Sequence, residues 1–360
     1  MSATPLEYGP LVRDMLGRAA AVRQPAHGTF ELTGRCNLAC RMCYVRQAPG
    51  DRAAAAAELP ASAWLDLAGQ AVDDGMVFLL LTGGEVLLRR DFFEIYEPLT
   101  SLGLVLALFT NGTLITRDVA ARLSEAPPSR TEITLYGATA STFEAVTGVP
   151  GSYAACVAGI EALLARRVPL GLKTTLTRRN AVELEAMRAM ARDWGVPFSA
   201  SCLLAKRPDR GPSEIDECRL SPADCIALEA TDRASADDWA EVALKGPAAP
   251  AHGNFYCRSG RAAFVIGPSG EMNVCSLLPR PGARPLGSGF AEAWRQVGRF
   301  VETAPPPAEA CRACEALPYC GRCPAWSMME TGTLTEPVPY LCSIARARLE
   351  RHGHPKGTAG

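Results

Sequence analysis

Six short apolar segments, spaced by roughly thirty residues and separated by helical patterns, constrain the fold of this 360-residue chain most strongly. Helical stretches such as 61–74 and 153–167 lie between them, as does 180–194, where Asn180 is placed to cap the helix. This alternation predicts an α/β fold with a parallel sheet, and six units favour an open, partial (β/α)6 barrel over a complete eight-fold one. The predicted strands are 28–32, 76–82, 104–110, 131–136, 170–176 and 197–203.

The pattern changes after residue 203. Residues 206–217 are polar and rich in turn formers, which predicts a loop, and 221–230 opens with Ser221, a helix-start signal. Residues 264–275 suggest a hairpin turning at 268–270, and little other periodic structure is expected beyond residue 250. The predicted organisation is therefore an N-terminal extension (1–27), the barrel (28–203), a bridging segment (204–256), a cysteine-rich domain (257–346) and a disordered tail (347–360).

Net charge, the lack of long apolar runs and the cysteine content limit the possible functions. The formal net charge is −1, so electrostatics favours neither nucleic acid nor a membrane as a partner. No apolar run approaches the ~18 residues that a membrane span needs, and the N-terminus lacks a signal-peptide core, so we expect a cytoplasmic protein. Disulfides are rare in the cytoplasm, and fourteen cysteines therefore indicate metal or cluster ligation. Four scattered cysteines are expected to be small buried side chains: Cys156, Cys202, Cys218 and Cys225.

Three cysteines, Cys36, Cys40 and Cys43, follow the first predicted strand, in the loop where a barrel keeps its active site. A structural zinc site takes four protein ligands, so three thiolates leave a coordination position open. Their C-x3-C-x2-C spacing resembles the signature of the radical S-adenosylmethionine (SAM) enzymes. A zinc site completed by a remote cysteine or histidine remains the alternative.

The resemblance implies a [4Fe–4S] cluster on these three cysteines, with the amino and carboxylate groups of SAM on the fourth iron. An electron, supplied by a reductase or flavodoxin-type donor, would cleave SAM to methionine and a 5′-deoxyadenosyl radical. That radical would abstract a hydrogen atom from the substrate.

Further matches lie at the ends of the predicted strands. In LTGGEV (81–86) the resemblance implies that Gly83, Gly84 and Glu85 receive the SAM amino group, although Val86 stands where the family commonly has proline. Glycines allow close backbone approach, and a carboxylate complements an ammonium group. The remaining implied contacts are Asn111 with ribose, Thr134 and Lys173 with the SAM carboxylate, and Tyr44 with adenine. Ordinary packing is the alternative for Thr134, Lys173 and Tyr44.

Seven cysteines in the last third follow the patterns C-x12-G-x4-C and C-x2-C-x5-C-x2-C-x18-C. They resemble a SPASM domain, in which two auxiliary [4Fe–4S] clusters are held. The family commonly has three residues, not two, between the cysteines matched by Cys320 and Cys323. The implied ligands are Cys257, Cys275 and Cys323 for the first cluster, and Cys311, Cys314, Cys320 and Cys342 for the second.

Two points about this second set stay open. A zinc ribbon on Cys311, Cys314, Cys320 and Cys323 is the competing interpretation. The fourth ligand of the first auxiliary cluster is also undetermined, because Ala263 occupies the position where some relatives supply a cysteine.

SPASM enzymes largely modify peptides, so we expect oxidative modification of a peptide in the maturation of a ribosomal natural product. Only about 28 residues precede the first strand, too few for an independent leader-binding domain, so leader recognition would need a separate protein or not occur. One alternative is oxidation or epimerisation of a small carbohydrate or aminocyclitol, in which Cys202 could return a hydrogen atom. Another is a non-catalytic zinc-binding protein.

Overall fold

The structure is a computed structural model that describes residues 8–45, 47–209, 214–231 and 254–353. Its strands are β1 (His27–Thr33), β2 (Phe78–Gly83), β3 (Val105–Thr110), β4 (Arg130–Thr134), β5 (Leu170–Thr175), β6 (Phe198–Ser201), β7 (Ala263–Ile266), β8 (Met272–Cys275) and β9 (Leu278–Ala283). They form one nine-stranded sheet in the order β6-β5-β4-β3-β2-β1-β7-β8-β9.

Helices cover the sheet and connect its strands. They are α1 (Tyr8–Ala21), α2 (Arg52–Ala57), α3 (Ala61–Asp73), α4 (Phe92–Thr100), α5 (Arg117–Glu125), α6 (Ala140–Thr147), α7 (Ser152–Ala165), α8 (Leu184–Asp193), α9 (Ile215–Cys218), α10 (Pro222–Glu229), α11 (Pro285–Ser288), α12 (Phe290–Glu302), α13 (Glu309–Arg312), α14 (Pro324–Thr331) and α15 (Pro339–His352). Short 3-10 turns lie at Val86–Leu88, Ala181–Glu183 and Leu317–Tyr319.

The predicted partial barrel is confirmed, since β1 to β6 pair in parallel in chain order, each within a few residues of its predicted segment. The alternation of side chains along β1 shows how the barrel is packed. Phe30 is fully buried against Trp64 of α3, with ring centroids 4.9 Å apart, whereas Glu31 points to the opposite face of the sheet and meets Tyr44. On β1, the apolar side chain thus packs against the helices, and the polar side chain faces the barrel interior.

The predicted hairpin is also confirmed, with β7 and β8 antiparallel across the expected turn. Its place in the fold was not expected, because β7 pairs in parallel with β1 and extends the barrel sheet into the predicted cysteine-rich domain. A four-residue apolar strand carries no local mark of a partner more than two hundred residues away, so this pairing is a tertiary event.

The expectation of little periodic structure beyond residue 250 is wrong. Helix α12 buries Phe290, Trp294, Val297 and Val301 along one face, a spacing of three and four residues that the sequence contains. Phe290 packs edge-on against Phe264 of β7, with ring centroids 5.1 Å apart. Residues 347–352 of the predicted disordered tail are helical as well, because α15 continues to His352, and 354–360 lie outside the described residues.

The two expected caps differ in outcome. The Ser221 hydroxyl accepts from the Asp224 N–H at 3.1 Å and caps α10, as predicted. Asn180 makes no side-chain bond to a helix, because its Oδ1 accepts from the Thr177 N–H at 2.6 Å and closes the preceding turn instead. Of the predicted loop 206–217, residues 210–213 lie outside the described part and 215–217 belong to the helical turn α9.

In the part of the chain that is described, no single helix has the length and apolar character needed to cross a bilayer. The helices α6 and α7 reach that threshold only as a pair, and they bend by 105° at the break between them.

Replacing Phe30 with alanine should reduce the free energy of unfolding by about 3–5 kcal/mol, because it opens a cavity between the central strand and α3. The exposed Val182 is the matched control, and its replacement with alanine should change stability by less than about 0.5 kcal/mol. Denaturant unfolding followed by circular dichroism measures both. Equal stabilities for the two variants would contradict the packing of β1 described here.

Candidate active site

The thiols of Cys36, Cys40 and Cys43 lie together just beyond the carboxyl end of β1. Backbone bonds fix their loop: the Cys36 N–H donates to the Gln47 carbonyl at 3.1 Å and the Ala39 N–H to the Thr147 carbonyl at 2.8 Å. Burial, with repulsion from Glu85 and Cys43, raises the pKa of Cys36 to about 11, while the Leu38 N–H opposes this by donating to its sulfur at 3.4 Å. The loop therefore presents three mutually close thiols, and burial disfavours their charged form unless a cation binds them.

Gly83 and Gly84 bring the end of β2 directly against this loop. The Gly84 N–H donates to the Thr33 carbonyl at 2.7 Å, and the Glu85 N–H donates to the Arg35 carbonyl at 2.8 Å. A Cβ atom on either glycine would lie 2.3 Å from a backbone oxygen, that of Thr33 or of Arg35. The two glycines are thus required by backbone contact within the protein, in addition to any ligand they receive.

The Glu85 carboxylate is fully buried and is used inside the protein. It accepts from the Thr110 hydroxyl at 2.8 Å, the Asn111 N–H at 2.7 Å and the Leu87 N–H at 3.1 Å. Burial raises its pKa, and these three donors act in the opposite direction. Glu85 therefore ties the loop after β2 to the loop after β3. Receipt of the SAM amino group by this stretch stays a prediction, for which the backbone of Gly83 and Gly84 is the available part.

Asn111 connects the loop after β3 to the cysteine loop. Its amide nitrogen donates to the Asn37 side chain at 2.9 Å and lies 3.7 Å from the Cys36 sulfur, and its oxygen accepts from the Thr113 hydroxyl at 2.6 Å. Only 9% of the residue is exposed. The predicted ribose contact would compete with these internal partners and remains a prediction.

Lys173 faces the barrel interior, where it has protein partners. Its Nζ lies 3.3 Å from the Glu132 carboxylate and 3.1 Å from the centroid of the Phe109 ring. Burial lowers the pKa of Lys173 to about 8, and Glu132 opposes that shift. The SAM-carboxylate role of Lys173 stays a prediction, and in this structure Glu132 neutralises its charge.

Thr134 stands opposite Lys173 in the ladder between β4 and β5 and forms a hydrogen bond with Tyr136. Tyr136 in turn hydrogen-bonds Cys40 and lies close to all three cysteines of the loop. The family resemblance points to Thr134 of the TLYG segment, whereas the structure places Tyr136 next to the cysteines. In the sequence, only the position of Tyr136, two residues after Thr134 at the same strand end, suggests a role in the site.

Tyr44 contacts the carboxylate of Glu31, a residue that the sequence motifs do not predict to be in the site. Its hydroxyl donates to Glu31 Oε1 at 3.4 Å, and Ser276 from the loop after β8 also hydrogen-bonds Glu31. Burial raises the pKa of Glu31, and the bonds from Ser276 and Tyr44 partly oppose the rise. Glu31 thus joins the first cysteine loop to the residue that follows Cys275. The adenine contact expected of Tyr44 stays a prediction.

A cavity of ≈ 480 Å³ opens between the barrel and the C-terminal region. Cys43, Tyr44 and Tyr136 line it on the barrel side, and Ser276 and Trp326 line it on the other. Because both cysteine regions contribute to its wall, this cavity is the candidate substrate site.

Cys202 does not reach this cavity. It follows β6 directly, is 6% exposed and belongs to the hydrophobic core, where its thiol lies 3.9 Å from the Cys225 carbonyl. The lining of the cavity begins one residue later, at Leu203. A role for Cys202 as a hydrogen-atom donor therefore has no geometric support in this structure. Cys156, Cys218 and Cys225 are buried, as expected.

The second cysteine set separates into two groups. Cys311, Cys314, Cys320 and Cys342 all line one cavity of ≈ 360 Å³, whose wall also includes Cys323. Burial, with repulsion from Cys342, Cys311 and Cys314, raises the pKa of Cys320 to about 11. These four thiols therefore share the wall of one cavity.

The other group is Cys257, Cys275 and Cys323. Burial raises the pKa of Cys275 to about 12, and repulsion from Cys323 and Cys257 adds to the rise. The Cys323 sulfur receives the backbone N–H groups of Ala325 and Trp326 at the start of α14, and the Cys275 sulfur receives those of Leu277 and Leu278. Such donors favour thiolates and therefore suit ligation.

Within the described ranges, no three cysteine, histidine or acidic side chains converge closely enough to hold a single metal ion. The thiols of each group nevertheless lie near enough to raise one another's pKa.

Comparison with known proteins agrees with this geometry. Residues 30–189 match the model of the Radical SAM superfamily. The AdoMet-dependent heme synthase of Methanosarcina barkeri is 29% identical, over 89% of this chain and 97% of that protein. Mycofactocin maturase MftC of Mycobacterium ulcerans is 28% identical, over 92% and 94%. The crystal structure of Streptococcus suis SuiB has a TM-score of 0.69 at 14% identity, covering 94% of this chain and 84% of that one.

Residues 30–189 therefore carry a radical SAM domain, and that family implies an enzyme that uses SAM and a [4Fe–4S] cluster. The likeness to MftC supports the SPASM subgroup within that superfamily.

Replacing Glu31 with glutamine should stabilise the protein at neutral pH. The folded-state pKa of Glu31 is raised, so wild-type stability falls as pH rises from the ordinary glutamate range to the raised value, while glutamine does not titrate. The advantage of the variant should therefore be absent in acid and should grow with pH to a plateau. Thermal unfolding across a pH series measures it.

The exposed Glu94 supplies the control, since Glu94→Gln changes a solvated surface side chain and should change stability by less than about 0.5 kcal/mol. A constant difference between wild type and Glu31→Gln at every pH would contradict the burial of a charged Glu31.

Proposed function

We propose that this protein oxidatively modifies a peptide within the cavity between its two cysteine regions, as part of the maturation of a ribosomally made natural product. It uses a radical cluster on Cys36, Cys40 and Cys43 together with two auxiliary [4Fe–4S] clusters. The observation that carries the proposal is the composition of the cavity wall, which joins the loop of the first cluster to residues beside the second set of cysteines.

The wall of this cavity would bring both cysteine regions into contact with one substrate. Tyr44 is next to Cys43, Ser276 is next to Cys275, and Trp326 follows Cys323 by one turn of helix α14. A molecule in the cavity would therefore touch neighbours of the first cluster and of the first auxiliary cluster. That geometry suits an oxidation, in which hydrogen is removed on one side and the remaining electron leaves on the other.

The chain's own residues divide the work. Cys36, Cys40 and Cys43 would hold the cluster, and Gly83, Gly84, Asn111, Thr134, Lys173 and Tyr44 are the proposed SAM contacts. When bound, the cluster and SAM supply a carbon radical that removes a hydrogen atom from the substrate. Glu85 and Asn111 hold the three loops in register, Tyr136 orients Cys40, and apolar side chains such as Leu277 exclude water from the cavity.

Two further groups of thiols support the auxiliary clusters. Cys311, Cys314, Cys320 and Cys342 provide a complete set around one cavity, and Cys257, Cys275 and Cys323 provide three ligands with backbone donors on two of the sulfurs. The fourth ligand of that cluster is left open for substrate or another group.

A peptide substrate is supported by the relatives. MftC is named as a maturase, and SuiB has been crystallised with its precursor peptide SuiA. Electron delivery by a reductase or flavodoxin-type protein, leader recognition by a separate protein and a cytoplasmic location complete the proposal. The location rests on the number of cysteines, which a reducing compartment keeps as thiols.

A heme-related macrocycle is the second candidate substrate, because the matched relative from Methanosarcina barkeri is a heme synthase of nearly the same length. The two candidate substrates differ in their absorption spectra. A flat macrocycle would absorb visible light when bound, whereas a peptide would not.

Changing Cys36, Cys40 and Cys43 together to alanine should abolish SAM cleavage and leave the auxiliary iron. Three cubanes contribute about twelve irons per chain, so the variant should keep about eight after anaerobic reconstitution. Iron and sulfide analysis measures the load, and chromatography measures 5′-deoxyadenosine. Cys156→Ala is the control, because that buried thiol belongs to no ligand group and its loss should change neither quantity.

Full 5′-deoxyadenosine production by the triple variant would rule out the first ligand set. A wild-type protein that binds zinc and only four irons would rule out both auxiliary clusters.

The reaction type has its own test. With a precursor peptide encoded beside the gene, we expect a product two electrons more oxidised and one SAM consumed per turnover, measured by mass spectrometry. A redox-neutral peptide that gains solvent deuterium at one carbon would favour epimerisation. Turnover of a heme precursor, with its visible spectrum appearing on binding, would favour the second candidate.

A further inference from the structure

We infer that Arg322 is the counter-charge of the second auxiliary cluster and raises its reduction potential. This inference rests on the proposed auxiliary clusters and goes beyond them, because it concerns a side chain that is no ligand. Arg322 lies between Cys320 and Cys323 and lines the same ≈ 360 Å³ cavity as Cys311, Cys314, Cys320 and Cys342.

Arg322 is a buried cation whose charge is not balanced within the described residues. It is 8% exposed, and no carboxylate in those ranges lies within ion-pair distance of it. Arg89, Arg219 and Arg348 are equally buried, and each of them pairs with a carboxylate. In the same ranges Arg261 forms no salt bridge either, but it borders a wide depression of ≈ 700 Å³ beside α1. A buried charge without a partner is strongly destabilising, so Arg322 calls for an anion.

Hydrogen bonds hold the guanidinium in place without neutralising it. Nη1 donates to the side chain of the fully buried Asn254, and Nη2 donates to the carbonyls of Leu334 and Thr335 at 3.4 and 3.3 Å. All of these acceptors are uncharged. Nε is buried and has no hydrogen-bond partner among the described residues. The guanidinium of this cavity-lining residue is thus fixed with one N–H unused in the described part of the chain.

The missing anion is supplied by the ligand set itself. Four thiolates give an iron–sulfur cluster a net negative charge, and the potential of a cluster depends on net charge and hydrogen bonds around it. A fixed cation in a buried site favours the reduced, more negative state. Arg322 therefore makes this cluster an easier acceptor for one electron than it would otherwise be.

Arg346 offers a matched control on the same cavity. It lines the wall with Arg322 but is exposed, so solvent screens its charge. If only the total charge near the cluster mattered, both arginines would act alike. If burial decides, Arg322 alone should have a large effect.

The test is a redox titration followed by electron paramagnetic resonance, in full-length protein with Cys36, Cys40 and Cys43 changed to alanine so that only auxiliary clusters contribute. Arg322→Gln should lower the equilibrium constant for one-electron reduction of one cluster at least tenfold, ~59 mV. Arg322→Lys, which keeps the charge, should stay within about threefold of the parent, ~28 mV on the same scale. Arg346→Gln should also shift less than Arg322→Gln, and the difference should persist at high ionic strength.

Several results would overturn the inference. The inference is wrong if Arg322→Gln shifts the reduction potential no more than Arg346→Gln does. It is also wrong if Arg322→Lys shifts the potential as far as Arg322→Gln does, since the side chain would then only hold the loop at Leu334. Loss of the cluster from Arg322→Gln with retention in Arg322→Lys would support a required cation, and loss from both would refute it. Iron analysis separates these outcomes from failure of the proposed function, since a parent with eight auxiliary irons excludes that failure.

Discussion

The parallel pairing of β1 on both of its edges is the constraint on which the rest of the structure depends. One edge pairs with β2 and the other with β7, and His27 has a partner in each, Phe78 and Ala263. The loop after β1 carries the three cysteines, the loop after β2 carries the two glycines, and β7 leads into the hairpin that ends at Cys275. A single central strand therefore brings the SAM-binding half and the second cysteine region into contact.

Buried polar groups then set the order of the loops. Glu85 accepts three hydrogen bonds without exposure to water, which costs desolvation and is repaid only if all three donors are in place. Such a group specifies one arrangement of the loops after β2 and β3, and Asn111 passes that arrangement on to the cysteine loop. The same principle recurs at Glu31, where bonds from Tyr44 and Ser276 join the two halves. Polar contacts in the interior thus position the thiols, while the hydrophobic core supplies the stability.

Much of this site could be anticipated from the chain, and the reasons for success and failure are physical. Short strand-like segments that alternate with helical patterns at regular spacing predict all six barrel strands, including β6, which is largely exposed. The motifs predict which residues contact SAM, but they could not show that Glu85 and Lys173 have protein partners in this structure. Asn180 has a residue type typical of caps, but its side chain closes a turn with Thr177 because the helix begins later. Helix α12 was not predicted, although Phe290, Trp294 and Val297 recur at helical spacing. The segments that flank it are rich in cysteine, proline and glycine, a composition typical of irregular structure.

The sequence by itself determined the partial barrel, the three-cysteine loop and the membership of the seven C-terminal cysteines in one region, because those properties follow from local periodicity and spacing. Only the tertiary structure decided which distant groups meet. It paired β7 with β1, placed Ser276 and Trp326 in the wall of the cavity beside Tyr44, and kept Cys202 in the core. It also set Arg322, which has no carboxylate partner among the described residues, in the wall of the cavity that four thiols line. Contacts of this kind depend on the packing of segments two hundred residues apart and on which charges are left unpaired after burial, and neither quantity is written in any local stretch of the chain.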